Sequence, residues 1–321
     1  MTEENPEEND QYTVKFANQF SPTTWDSYIG QTKVKERLQI TIHAALSRFE
    51  QMDHCLILGE SGTGKTSLAN LIAQEHGVQF MSLMITPNFN MKVLNAKLRE
   101  FEEEGGGIVF LDEIHNFTKK EQHNLYSILE EGCIAYTNGK KHYFLAPITI
   151  VGATTDERLL TQALRGRFGS PYRLEEYTDK EMGQIVERMA YKVGLTPTRG
   201  TCLALGRAAA GSPRQAASLI KTARDLGTMN PNPVLRLAEI TIDGLTVDHI
   251  AYLKTMNALG MSAGLESLSN HTGRAKEDIV QLERLLARKN LIEINKTGRH
   301  LTPKGYGALK KVETGECYGP A

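Results

Sequence analysis

The chain has 321 residues, enough for two or three domains of ordinary size, with 40% hydrophobic and 23% charged residues and a formal net charge of −1. That balance reads as a soluble globular protein. No apolar run nears the roughly eighteen residues of a membrane span, no basic-then-apolar leader or lipidation motif is present, and Cys55, Cys133, Cys202 and Cys317 lie far apart without a CxxC pair. The cysteine spacing argues against a zinc site or a disulfide framework and fits a reducing cytoplasm.

In chain order, residues 1–10, MTEENPEEND, carry five acids and no base and read as the start of an acidic disordered tail over 1–19. Residues 59–67 read GESGTGKTS and fit GxxxxGK[ST] in full. The preceding CLIL has the apolar continuity of a buried parallel strand, and the following TSLANLIAQEH has helical spacing. A glycine-rich loop between strand and helix turns its backbone N–H groups onto phosphate, and the helix dipole adds to the attraction. Gly59, Gly62, Thr63, Gly64, Lys65, Thr66 and Ser67 are therefore candidate nucleotide-binding residues. Lys65 is expected to reach the β- and γ-phosphates and Thr66 to ligate Mg²⁺.

A second strand, GIVFLDE from Gly107, ends in two carboxylates where open α/β sheets bind ligands. Asp112 is expected to hold Mg²⁺ and Glu113 to polarise the attacking water. EEGCIAYTNGKKHYFLAP follows, and Asn138-Gly139 between β-prone residues marks a hairpin with arms Cys133 to Thr137 and Lys141 to Leu145. The third strand, from Pro147, ends in Thr154-Thr155, whose hydroxyls suit a γ-phosphate or its attacking water. Arg165 and Arg167 follow in LTQALRGRFGSP. An arginine supplied by a neighbouring subunit can stabilise phosphoryl transfer, although most exposed arginines are plain surface.

Gly211-Ser212-Pro213-Arg214 opens a helix with Ser at the N-cap and Pro at the first position. Arg214 opposes the dipole there, which is better explained if an anion comes to it. From about Thr246, three helical patterns precede alternating residues around Lys296-Thr-Gly-Arg299, with Thr297-Gly298 in the turn. That order is a winged-helix pattern. Residues 284–311 carry eight Lys and Arg against Glu293 alone, a balance suited to phosphates without base reading. Arg299 at the wing tip, Lys296 and Lys304 are the candidate DNA contacts. Winged helices also bind proteins.

Taken in this order, the chain resembles the AAA+ ATPases and, within them, the RuvB family of bacterial branch-migration motors. The resemblance rests on FSPTTWDSYIGQ (20–31), GESGTGKTS, IVFLDEIHNFTKKEQHNLYSILEE (108–131), ITIVGATTDERLLTQALRGRFG (148–169), EEYTDKEMGQIV, GSPRQAASLI and LIEINKTGRHLTPKGYGAL (291–309). It implies an α/β fold: an AAA+ P-loop parallel-sheet domain over 20–174, a small helical lid over 175–244 and a C-terminal winged-helix domain over 245–321. It also implies that Tyr28 and Ile29 lie over the adenine of ATP, and that Thr155 is the first sensor. Arg167 matches the trans-acting arginine, with Arg165 the second choice, and Arg214 the second sensor, with Pro213 beside it a candidate nucleotide-binding residue.

The family's activity would be ATP-driven movement of duplex DNA through a homo-hexameric ring, driving Holliday junction branch migration. The hairpin at 133–145 would grip a RuvA-like partner, although its lysines also suit DNA and a purely structural hairpin stays open. Two other readings remain open: a clamp- or helicase-loader switch, and a DNA-binding scaffold that uses ATP only to assemble. Glu60-Ser61 replaces the family's usual pair of prolines in the phosphate loop, and the span 226–244 looks longer than the usual connection.

Overall fold

The computed structural model describes residues 19–135, 140–144, 146–260 and 262–318. The chain divides into two compact units, one ending at Glu176 and one beginning at Tyr177. Nearly all of the acidic tail lies outside the described residues, as do Tyr136, the Asn138-Gly139 turn and Leu145.

The first unit is built on strands β1 (Cys55–Leu58), β2 (Gln79–Met84), β3 (Gly107–Asp112), β4 (Cys133–Ala135), β5 (Lys141–Tyr143), β6 (Ile148–Thr154) and β7 (Tyr172–Arg173). Five of them form one sheet in the order β2-β3-β6-β1-β7, and every pairing in it is parallel. Side chains alternate between its faces, and both faces are covered. Leu56, Leu58, Val109 and Leu111 enter one hydrophobic cluster, while Cys55, Ile57, Ile108 and Phe110 enter another. That double burial is why β1 and β3 read as unbroken apolar runs. The strand β2 was not foreseen: its QFMSLM mixes polar and apolar residues because it lies at the sheet edge.

A glycine is required at 152 in β6. A Cβ there would lie 2.9 Å from Ile114 Cδ1 and 3.0 Å from Phe168 Cζ. The helix Gln162–Arg167 is thereby held close to the sheet by the buried Phe168 that follows it. The hairpin β4–β5 is present, pairing Cys133 with Tyr143 and Ala135 with Lys141. The remainder of the expected first arm, Tyr136 and Thr137, lies outside the described residues. His142 anchors β5 to Glu102 at 2.6 Å.

In the second unit the helices Asp179–Lys192, Arg199–Ala208 and Pro213–Leu226 each start at a side-chain cap, from Thr178, Thr198 and Ser212. The long span after Leu226 contains a further helix, Pro231–Ala238, capped by Asn230. The helices Val247–Leu259, Leu265–Thr272 and Lys276–Arg288 then precede β8 (Ile292–Asn295), β9 (Gly298–Leu301) and the helix Pro303–Glu313. These last elements share one hydrophobic core.

The wing corrects one expectation. Asn295 pairs with Gly298, so the turn is Lys296-Thr297 and Arg299 lies inboard of the tip. Its guanidinium donates to Glu283 at 2.8 Å from Nε and 3.3 Å from Nη2. Tyr252 donates its hydroxyl to the same carboxylate at 2.8 Å. The arginine expected at the wing tip is thus the counter-ion of a buried acid and helps to hold the module together.

Glu283 is 4% exposed and Arg299 17%, and removing one partner of such a pair strands the other charge. Arg299→Ala is therefore expected to cost about 3 kcal/mol and to lower the melting temperature, while Lys296→Ala leaves the melt unchanged. Thermal unfolding followed by circular dichroism checks both.

The buried His249 closes the cap of the helix Val247–Leu259, with Nδ1 accepting from Thr246 N at 3.3 Å. Burial pushes its pKa down from 6.5 to about 4, against the raising pull of Asp248. The folded state thus disfavours the protonated ring. The stabilisation is full above about pH 6.5 and is lost as pH falls towards 4, by up to about 3 kcal/mol. Denaturant melts across that window should show the loss, and His249→Gln should flatten this part of the profile.

Candidate active site

Parallel pairing brings the carboxyl ends of β1, β3 and β6 to one edge of the sheet. Leu58 lies beside Thr154, and Gly59 N donates to Thr154 O at 3.3 Å. The phosphate loop leaves β1 there. Gly62 at φ 81° and Gly64 at φ 102° occupy the left-handed region that only glycine enters without strain. Thr63 is buried and donates its hydroxyl to Glu60 O at 2.7 Å, closing the loop on itself.

The helix Lys65–His76 starts directly after Gly64, which has no side chain to cap it. An uncapped helix start leaves its first amides pointing outward for an anion. Lys65 is 5% exposed, and its ammonium donates to Gly59 O at 2.9 Å and Glu60 O at 3.2 Å. A buried cation resting mainly on neutral carbonyls, beside half-buried Thr66 and Ser67, is a donor set suited to a polyphosphate. Asp112 is buried at the end of β3, with a carboxylate oxygen accepting from Glu113 N at 3.0 Å. A hydroxyl and a carboxylate are the hard oxygen ligands that Mg²⁺ takes.

Glu113 adopts φ 55°, ψ 45°, a left-handed conformation uncommon outside glycine. The turn aims its carboxylate back across the edge. Oε2 accepts from Thr155 N at 3.1 Å and from Thr155 Oγ1 at 3.2 Å. His115 Nδ1 is 3.1 Å from the same oxygen, and Lys65 Nζ is 3.9 Å from Oε1. Burial alone would push this carboxyl up; the His115 hydrogen bond, the Lys65 charge and the Thr155 N–H outweigh it and hold the group below the usual range. Glu113 is therefore ionised at neutral pH, with one oxygen crowded by donors.

Sequence reasoning missed His115. Its ring also meets Thr154 Oγ1 at 2.8 Å, so it bridges the ends of β3 and β6. The available signal was its place two residues after Glu113, in a turn tight enough to fold back on the strand.

Tyr28 is built into the core beneath the loop, with its hydroxyl donating to Gly64 O at 3.3 Å. Ile29 and Gly30 beside it are half-buried. Gln31 fixes this segment by exchanging hydrogen bonds of 2.7 and 2.9 Å with the Glu175 backbone.

Arg167 ends the helix Gln162–Arg167 and is brought together with none of these groups. It pairs with Glu130 at 2.6 Å and donates to Tyr126 Oη at 2.6 Å. Arg165 is half-buried, with Nε lacking a hydrogen-bond partner. Arg214 lies on the second unit, exposed in the first turn of its helix behind half-buried Pro213. Lys296 is exposed in the wing turn, and Lys304 is exposed with its ammonium on Lys289 O at 2.9 Å.

All four cysteines are buried and unpaired as thiols. Among the described residues no cluster of metal-ligating side chains occurs, and no helix is long and apolar enough to cross a membrane.

Comparison with known proteins bears on the same regions. Residues 20–174 match the RuvB P-loop domain of the Holliday junction DNA helicase, and residues 243–310 match the RuvB C-terminal winged helix domain. The chain is 35% identical over 303 residues to the Holliday junction branch migration complex subunit RuvB of Streptococcus thermophilus, covering 89% of this chain and 90% of that one. It is 32% identical over 315 residues to the same subunit of Fervidobacterium nodosum, covering 90% and 88%. The solved structure of the Thermotoga maritima RuvB Holliday junction branch migration motor is similar with a TM-score of 0.77 at 29% identity, covering 91% of this chain and 99% of that one. With a RuvB P-loop domain followed by a RuvB winged helix domain, and relatives 32% and 35% identical across about nine-tenths of its length, this chain belongs to the RuvB family.

Proposed function

We propose that the chain is an ATP-hydrolysing motor that moves duplex DNA and drives branch migration of four-way junctions. The observation that carries this reading is the gathering of Lys65, Asp112, Glu113 and Thr155 at one sheet edge, in a chain that also carries the winged helix of the RuvB family. Two carboxylates with different surroundings favour hydrolysis over mere binding. Asp112 would hold a cation, and Glu113, kept anionic by its donors, would turn to water once they are drawn away.

ATP with Mg²⁺ would supply the phosphoryl group whose transfer to water releases energy. The loop amides from Gly62 to Ser67 and the Lys65 ammonium would hold its phosphates, with Gly59 shaping the turn. Thr66 and Asp112 would hold the cation, and Tyr28 and Ile29 would border the base. Glu113 orients the attacking water and accepts its proton. To do so it gives up part of its hold on Thr155, whose hydroxyl is then free for phosphate or water. Arg214 serves as the second sensor, and Arg167 acts on the neighbouring subunit's site in a homo-hexameric ring.

The domain reading of large ATPase domain (20–174), lid (175–244) and winged helix (245–321) assigns the DNA grip to the last, through Lys296 and Lys304. The hairpin at 133–145 is the surface for a RuvA-like partner. Exposed Tyr143 beside Lys140 and Lys141 gives it apolar and cationic character together.

ATP-dependent dissociation of a synthetic four-way junction tests the motor. Purified protein, with or without a bacterial RuvA, is expected to dissociate it, and Lys65→Ala to abolish this. DNA-stimulated hydrolysis without dissociation in either case would replace the motor with a loader-type switch. Lys296→Ala is expected to weaken duplex binding alike across sequences and to reduce the slope of log K against log salt by about one. Fluorescence anisotropy across a salt series reads that slope.

A further inference from the structure

Arg167 is exposed, yet it is not loose. Its guanidinium meets Glu130 at 2.6 Å through Nη1 and Tyr126 Oη at 2.6 Å through Nη2. It also lies 4.9 Å from the centre of the Tyr126 ring. Tyr126 is itself stacked on His123 at 6.2 Å with the rings 4° from parallel. His123, Tyr126 and Glu130 all lie on the helix Lys119–Glu131, at spacings of three and four residues that put them on one face.

That helix is fixed at both ends and along its buried side. Thr118 and Glu121 form a capping box at its start, and Gly132 closes its end in a left-handed turn. Leu125 and Ile128 enter the core. Gln122 binds the Leu159 carbonyl at 3.1 Å and accepts from Thr161 N at 2.8 Å, tying the helix to the segment that leads into Arg167.

We propose that Tyr126 and Glu130 are positioning residues for Arg167, holding its guanidinium at a set place and angle for use on a neighbouring subunit's nucleotide. The inference rests on the reading of Arg167 as a trans-acting residue. A guanidinium has five N–H donors. Glu130 and Tyr126 occupy one each, on different nitrogens, and leave the others for an external anion. The ring contact, the carboxylate and the phenol together restrict where the guanidinium sits and how it turns. An unrestrained arginine side chain loses rotamer freedom on reaching a phosphate, whereas one already fixed loses less. A misplacement of about 1 Å in such a group costs up to about a hundredfold in rate.

The test compares Arg167→Ala, Tyr126→Phe, Glu130→Gln and the Tyr126→Phe/Glu130→Gln pair. Steady-state ATPase gives kcat and KM, a fluorescent ATP analogue gives binding, and phenylglyoxal labelling read by mass spectrometry gives Arg167 accessibility in the dilute subunit. The proposal expects the double variant to lose about tenfold to a hundredfold in kcat, with KM and analogue binding unchanged and Arg167 labelled faster.

Mixing the double variant with Lys65→Ala subunits should restore its rate, because those subunits donate a correctly held Arg167 to its intact sites. A defect in the variant's own site would not be rescued this way. If Arg167→Ala loses hydrolysis while the double variant keeps wild-type kcat, or gains, the positioning role is overturned and the trans reading stands. A rate that is lost but not rescued overturns it too. If Arg167→Ala hydrolyses normally, the trans reading itself fails, and the inference with it.

Discussion

Parallel pairing of β1, β3 and β6 is the constraint on which the site depends. Residues from three distant stretches, Gly59, Asp112 and Thr155, reach one edge because their strands run the same way and in register. Each strand is buried on both faces, so its position is set by apolar packing and not by the polar residues that follow it. The chemistry is placed where the packed runs stop. A buried lysine and two acids are tolerated there because backbone carbonyls, hydroxyls and one another satisfy them.

Glu113 shows how the edge prepares a group for use. Its left-handed backbone aims the carboxylate, and the His115 ring, the Lys65 charge and the Thr155 N–H hold it ionised against partial burial. A carboxylate this well served is a weak base in that pose. The same donors are what an incoming phosphate or water would compete for, so binding and activation draw on one set of hydrogen bonds. His115 joins the ends of β3 and β6, so a shift at either strand end reaches Glu113 directly.

The two units use arginine differently. Arg299 is drawn into the winged helix by buried Glu283 and Tyr252. Arg167 is held at the surface by groups that are themselves half-exposed, leaving donors outward. Both are basic residues near a turn in the sequence, and burial of the partner acid separates the two roles: a buried carboxylate demands a full counter-ion, whereas an exposed one can share.

The sequence by itself determined the phosphate loop, the two apolar strands that end in acids and hydroxyls, the Ser212-Pro213 helix start and the helix–helix–helix–wing order. Each is a local signal: a glycine pattern, an unbroken apolar run, a cap or an alternation acts within a few residues. The edge strand β2 escaped because half-buried strands of mixed polarity carry no such signal. Only the tertiary structure decided which charges face one another. The pairing of Asn295 with Gly298 moved the wing turn by one residue and took Arg299 from the tip to Glu283, sixteen positions back in the chain. The meeting of Arg167 with Tyr126 and Glu130, and of His115 with Thr154, likewise follows from how helices and strands pack. Register and packing join residues far apart in the chain, and neither can be read from the spacing of those residues alone.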